Sequence, residues 1–135
     1  MEILKYLLDS NVVGDAMRRH PNVIRRYTDA LDADHELMLC PAVHYEVLRG
    51  LVKSGATTQA QKYQSEFVTI MQWTPFKSSD WDDAAQLWAQ TRKQGRQFSD
   101  VDLLLAALSI RLDAVLVTAD DDFSALPLQR ENWRD

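Results

Sequence analysis

The chain has a single cysteine, Cys40, among 135 residues. It can therefore form no internal disulfide and no multi-cysteine zinc or iron–sulfur centre. Glycine is scarce too: Gly14, Gly50, Gly55 and Gly95 are the only four. They are scattered and form no Gly-rich phosphate-cradling loop, which argues against a nucleotide-binding enzyme. No G-x-S-x-G elbow is present, and His20, His35 and His44 lack ligand spacing, so Ser–His–Asp catalysis and a histidine metal site are not indicated. Long apolar runs are missing. Leu103–Leu108 is among the longest and falls far short of the ~20 residues that span a bilayer. The start, Met1-Glu2-Ile3, lacks the basic-then-apolar pattern of a signal peptide, so a cytoplasmic protein with no membrane partner is expected.

The composition that remains is that of one soluble domain over residues 1–135. It is 46% hydrophobic and 26% charged, with 20 acids against 15 bases and a formal charge of −5. A chain of this length buries roughly two-thirds of its unfolded surface, enough for one core. The acids are skewed, 15 Asp to five Glu, and ten of the bases are Arg. Asp suits helix caps, turns and compact ligation of hard cations, while Arg forks suit phosphates and carboxylates.

Apolar runs alternate with helical periodicities. Ile3–Leu8 reads as a strand stopped by Asp9-Ser10-Asn11, and helices are expected over Val12–Arg19 and from Asn22 onward. A second strand over Leu37–Cys40 runs into a helix over Ala42–Lys53, ended at Ser54-Gly55. A helix from Thr57 or Thr58 to about Gln72 would bury Tyr63, Phe67, Ile70 and Met71, and Trp73–Phe76 reads as a minor strand. A helix from Ser79 or Asp80 to Gly95 would pack Trp81, Ala84, Ala85, Leu87 and Trp88 into the core. Ser99 or Asp100 starts another through Leu112. Ala114–Val117 is then a β-branched strand, followed by the acidic turn Ala119–Phe123. This alternation predicts an α/β domain with a mainly parallel central sheet.

Ligands of open parallel sheets sit outside the carboxyl ends of the strands. Asp9 and Asp120 belong on that edge, and Asp102, in the first turn of its helix, can join them. Glu46, soon after the second strand, is a fourth candidate. Caps, turns and solvated faces are the ordinary uses of each acid taken singly. Together their charges would repel and raise some pKa values unless a cation neutralised them. An oxygen-only set selects a hard ion, Mg²⁺ with Mn²⁺ as a substitute.

Four segments carry a resemblance across almost the whole chain: Tyr6-Leu7-Leu8-Asp9-Ser10-Asn11-Val12, Tyr45-Glu46-Val47-Leu48-Arg49-Gly50, Asp102-Leu103-Leu104-Leu105-Ala106-Ala107 and Leu116-Val117-Thr118-Ala119-Asp120-Asp121-Asp122-Phe123. In order and spacing they resemble the motif series of PIN-domain ribonucleases, and in size and wording the VapC-like toxins of toxin–antitoxin pairs. The resemblance implies a PIN-like three-layer α/β/α fold and a metal-dependent endoribonuclease centred on Asp9, Glu46, Asp102 and a fourth acid, Asp120 or Asp122. Ser10 stands where that family more often has Thr. It also implies a homodimer and a VapB-like antitoxin whose C-terminal segment lies in a groove between the N-terminal helices. Val12, Val13, Met17, Val23, Tyr27, Leu48, Leu51 and Val52 offer apolar material for that groove or for the core. An antitoxin Arg entering the acidic pocket would compete with the metal.

The charge of −5 argues against a broad RNA footprint, but local segments are basic. Val47–Ser65 carries only Arg49, Lys53 and Lys62, and Ala84–Ser99 only Arg92, Lys93 and Arg96. Arg49, one turn after Glu46, is the best candidate phosphate contact, with Ser10, Asn11 and Thr118 as further substrate-side residues. An aspartyl-phosphate phosphatase or phosphotransferase using Asp9 is one alternative. It lacks the second Asp after Asp9 and a Lys after Val115–Val117. A PIN-like module that binds RNA or protein without cleaving is the other.

Overall fold

The computed structural model describes residues 2–135. Five strands form one parallel sheet in the order β3-β2-β1-β4-β5, with β1 at Lys5–Leu8, β2 at Glu36–Leu39, β3 at Gln72–Trp73, β4 at Val115–Val117 and β5 at Gln129–Glu131. The helices are α1 Ser10–Met17, α2 Pro21–Asp32, α3 Pro41–Lys53, α4 Thr57–Tyr63, α5 Ser78–Lys93 and α6 Asp100–Arg111. Chain steps from β1 to β2 to β3 run one way across the sheet, and β3 to β4 returns the other way. Right-handed crossovers then place α1–α4 on one face and α5–α6 on the other. The packing agrees, with α1 against α2, α3 and α4, and α5 against α6. Strand order reverses between β1 and β4, where Leu8 and Val117 are in register. That is the switch point at which such sheets bind ligands.

Local chemistry explains the elements. Three central strands read as near-continuous apolar runs because helices cover both faces: Tyr6–Leu8, Leu37–Leu39 and Val115–Val117 are all buried. Pro21 and Pro41 occupy first helical positions of α2 and α3, where a missing N–H costs nothing. Ser99 caps α6, its hydroxyl accepting the Asp102 N–H at 3.1 Å. Helices α3 and α5 end on Gly55 and Gly95 at φ +65 and +73, while Arg19, Asp34 and Asp113 take the same left-handed turn without a glycine's freedom.

Several expectations need correction. The first helix begins at Ser10 rather than Val12, because Asp9 itself is its cap. The helix from Thr57 does not run regularly to Gln72: it widens into a π-type turn over Gln64–Val68 and stops, and β3 is two residues rather than Trp73–Phe76. Strand β5 has no counterpart among the expected elements. Its Gln-Arg-Glu sequence carries no apolar alternation, since β5 is an edge strand defined by pairing to β4. Trp81, Trp88 and Ile70, expected in the core, are exposed. Only Ala84 and Leu87 of the expected α5 stripe are buried, because α5 packs on α6 and it is α6 that packs on β4. The candidate groove residues Val12, Val13, Val23 and Tyr27 are core.

Candidate functional site

Asp9 leaves β1 at the switch point, and its backbone N–H continues the ladder to the Val117 carbonyl at 3.0 Å. Its carboxylate turns inward and is 6% exposed. Thr118, the residue after β4, donates its hydroxyl to Asp9 Oδ2 at 2.8 Å. Asn11 Nδ2 donates to the same oxygen at 3.2 Å, and the Ser10 N–H donates to Oδ1 at 2.7 Å. Asn11 then accepts the Ala119 N–H at 3.2 Å, and Thr118 accepts the Asp120 N–H at 3.1 Å. One small network thus ties the ends of β1 and β4 together and fixes Asp9 before any ligand arrives.

The other acids approach from different elements. Asp102 sits in the first turn of α6, and Glu46 lies in α3, whose base is anchored where His44 Nδ1 meets the Tyr63 hydroxyl at 2.8 Å. Burial pushes the Asp9 carboxyl above its ordinary value. The Thr118 and Ser10 hydrogen bonds pull it back, and the charges of Glu46 and Asp120 raise it again. Burial likewise raises Asp102, with Ser99 opposing and the charges of Asp9 and Asp120 adding. The charges of Glu46 and Asp120 thus oppose ionisation of Asp9, and those of Asp9 and Asp120 oppose ionisation of Asp102. Asp122 is exposed, and its N–H donates to Asp120 Oδ1 at 2.9 Å, so Asp120 caps the turn that carries Asp122.

Two other buried aspartates show what is different here. Asp15 is held by Arg18 and Arg134, and Asp80 by a two-pronged contact with Arg111 at 2.7 and 2.9 Å. Burial opposes their ionisation as well, but the guanidinium hydrogen bonds outweigh it and both carboxyls lie below their usual value. Asp9 has a hydroxyl, a carboxamide and a backbone N–H as partners instead of a cation.

An all-oxygen acid set is chemically matched to a hard divalent ion. Among the described residues, no three His, Cys, Asp or Glu side chains are gathered as a ready cage. Mg²⁺ is suited to such a site, since it keeps several waters and takes one or two carboxylates directly. Cys40, buried beside this edge, is no alternative nucleophile: burial pushes its thiol up to about 11.

A groove of about 600 Å³ opens beside the acids, bounded by α1 and α3 and closed by Ala56 and Gln59. Ser10, Asn11 and Glu46 line its acidic end, Met17, Val47 and Leu51 its apolar wall, and Arg18 its basic side. Of the expected groove residues only Met17 and Leu51 line it, and Val52 points to solvent. Gly50, Ser54 and Gln59 were missed, although Val47, Gly50, Leu51 and Ser54 recur at the helical spacing that marks one face. Thr118, expected to touch substrate, is fully buried and positions Asp9 instead. Arg49 is exposed, 3.9 Å from Glu46.

Comparison with known proteins places these features in a family. The family model described as PIN domain matches residues 6–128. Ribonuclease VapC2 of Rickettsia felis is 26% identical over 130 residues, covering 95% of this chain and 97% of the relative. Ribonuclease VapC1 of Haemophilus influenzae is 26% identical over 134 residues, with the same coverage. Among solved structures, Rickettsia felis VapBC2 bound to a promoter DNA fragment superposes with a TM-score of 0.85 at 25% identity, over 96% of this chain and 99% of that one. DNA-bound VapBC from Salmonella typhimurium gives 0.83 at 19% identity, over 97% and 99%, a likeness of fold.

Proposed function

Since the chain belongs to the PIN-domain family, we propose that it is a Mg²⁺-dependent endoribonuclease, the toxin of a VapBC-type toxin–antitoxin pair. The observation that carries this reading is the contrast between Asp9 and the chain's Arg-paired aspartates. A buried carboxylate at the switch point, repelled by its neighbours and with no protein cation among its hydrogen-bond partners, is prepared for a cation from outside. The names of the full-length relatives, ribonucleases VapC, support the substrate class.

In this reading Asp9, Glu46, Asp102 and Asp120 hold the ion, with Asp122 as an outlying acid. Bound there, Mg²⁺ supplies Lewis-acid stabilisation of phosphodiester charge and lowers the pKa of a water, with Mn²⁺ as a substitute. The residues of the chain do the rest. Thr118 and Asn11 fix the Asp9 carboxylate at the end of β1, and the Thr118 bond favours its ionised form. Ser10 and Asn11 border the acidic end of the groove and are assigned to the substrate side. Arg49 offers its guanidinium to a phosphate next to Glu46.

The groove between α1 and α3 suits the C-terminal segment of a VapB-like antitoxin: its wall is apolar, and its acidic end would take a partner Arg. The solved relatives are VapBC complexes, which supports a partner of this kind. A homodimer in the cytoplasm completes the reading. Among the described residues, no helix is long and apolar enough to cross a membrane.

The test is incubation of the purified protein with RNA in Mg²⁺ or in EDTA, beside Asp9→Asn. Cleavage should require Mg²⁺ and fall at least a hundredfold in the variant, on the order of the ~10²–10³ lost when one electrostatic group is removed. Equal cleavage by both proteins overturns the metal-site reading, and RNA binding without cleavage would favour the non-cleaving module. Co-expression with the product of an adjacent small reading frame should relieve growth arrest, and light scattering checks the dimer.

A further inference from the structure

Helix α3 has two working sides. Glu46, Val47, Gly50 and Leu51 face the groove, whereas Tyr45, Arg49, Val52 and Lys53 turn to solvent. Tyr45 is 61% exposed although it adjoins a site acid, and the Arg49 guanidinium lies over its ring, 5.1 Å from the centroid. Arg49 also approaches Glu46, but 3.9 Å is too long for a hydrogen bond, so its donors remain free for another acceptor. Lys53 continues the same line one turn further, and no acid intervenes from Val47 to Ser65. An exposed ring, a cation stacked on it and a second cation at i+8 form a short aromatic and basic track leading to the acids.

We propose that Tyr45 and Arg49 form a base-stacking subsite: the Tyr45 ring takes an unpaired base of the RNA next to the cleavage site, and Arg49 holds the adjoining phosphate. A base can stack on the exposed Tyr45 ring, and a phosphate offers Arg49 the hydrogen-bonding anion that Glu46, at 3.9 Å, does not. Charge favours nucleic acid over protein here, because the track is basic on a chain whose net charge is −5. Neither Tyr45 nor Arg49 lines the groove, so a peptide in the groove would leave the ring uncovered. Duplex RNA, whose bases are already stacked, would not use it.

This inference rests on the nuclease reading. It is tested by fluorescence anisotropy of the full chain in EDTA, with a labelled 12-nucleotide single-stranded RNA of mixed sequence, the same RNA carrying abasic sites, and its duplex. Tyr45→Ala should weaken single-strand binding by roughly fivefold to a hundredfold, Tyr45→Phe should restore it, and the abasic RNA should bind both wild type and Tyr45→Ala at the weakened level. Arg49→Ala should reduce the salt slope by about 0.7. Equal single-strand binding by wild type and Tyr45→Ala overturns the subsite while leaving the nuclease reading intact. The subsite also falls if Tyr45→Ala breaks a dimer or a partner complex with RNA binding unchanged, since Tyr45 is then a protein contact. A wild type that neither binds nor cleaves any RNA overturns both.

Discussion

Thr118 reaches across the β1–β4 seam to donate its hydroxyl to Asp9 at 2.8 Å, joining residues 109 positions apart. The bond stabilises the ionised form of a carboxylate that burial and neighbouring acids work against. Thr118→Val removes that donor without changing side-chain shape. It should cost about 1–3 kcal/mol in urea unfolding and move the acid limb of the RNA-cleavage pH profile upward. Thr118→Ser should leave both near wild type.

Asp9 and Asp102 bind their protons more tightly in the folded chain than in the unfolded one. Between the ordinary value of 3.8 and the raised folded values, the folded state carries more protons, so stability falls as pH rises through that window. Asp9→Asn should flatten this fall in EDTA, and because its single carboxamide oxygen cannot accept from Ser10, Asn11 and Thr118 together, it should melt below wild type near pH 4. Thermal melts from pH 4 to pH 8 check it.

Added Mg²⁺ should stabilise wild type selectively. An ion that binds only the folded state stabilises by RT ln(1 + [L]/Kd), about 2.7 kcal/mol at a hundredfold excess over Kd. Melting of wild type should rise by several degrees with Mg²⁺ or Mn²⁺ and return with EDTA. The Asp9→Asn, Asp102→Asn double variant should not respond.

At the other end of α6, Asp80 is wholly buried against Arg111. Arg111→Met should cost about 3–5 kcal/mol, since it strands a buried charge. The Asp80 carboxyl lies below its usual value, so this contribution is present above 3.8 and is lost as pH falls through the lowered folded value. Acid titration of stability should therefore lose that step in Arg111→Met, with RNA cleavage per folded molecule unchanged.

Gly50 faces the groove from mid-helix, and a Cβ added there would meet nothing within 4 Å. Gly50→Ala should stabilise the chain by up to about 1 kcal/mol. Gly50→Leu should fill the groove and weaken an antitoxin peptide in a titration, while RNA cleavage by the free protein persists.

Much of the site was legible because its signals are local. Asp9 closes an apolar run and Asp120 follows another, and strand ends of a parallel sheet share one edge. Asp102 follows a Ser cap, which fixes it in the first turn of α6. Local patterns could not say which aromatic residues are covered. Trp81 and Trp88 have helical spacing, yet they stand in solvent because coverage depends on where α6 lies. Thr118 read as a substrate contact because nothing near it in sequence reveals that Asp9 claims its hydroxyl.

The sequence by itself determined the alternation of strands and helices, the parallel sheet and the acids on its carboxyl edge, because periodicity, caps and strand ends act over a few residues. Only the tertiary structure decided which aspartates are neutralised. Asp15 finds Arg134 and Asp80 finds Arg111 across 119 and 31 residues, whereas Asp9 meets Thr118 and other acids. The composition makes 15 aspartates chemically alike; long-range packing supplies some with a guanidinium and leaves Asp9 without one.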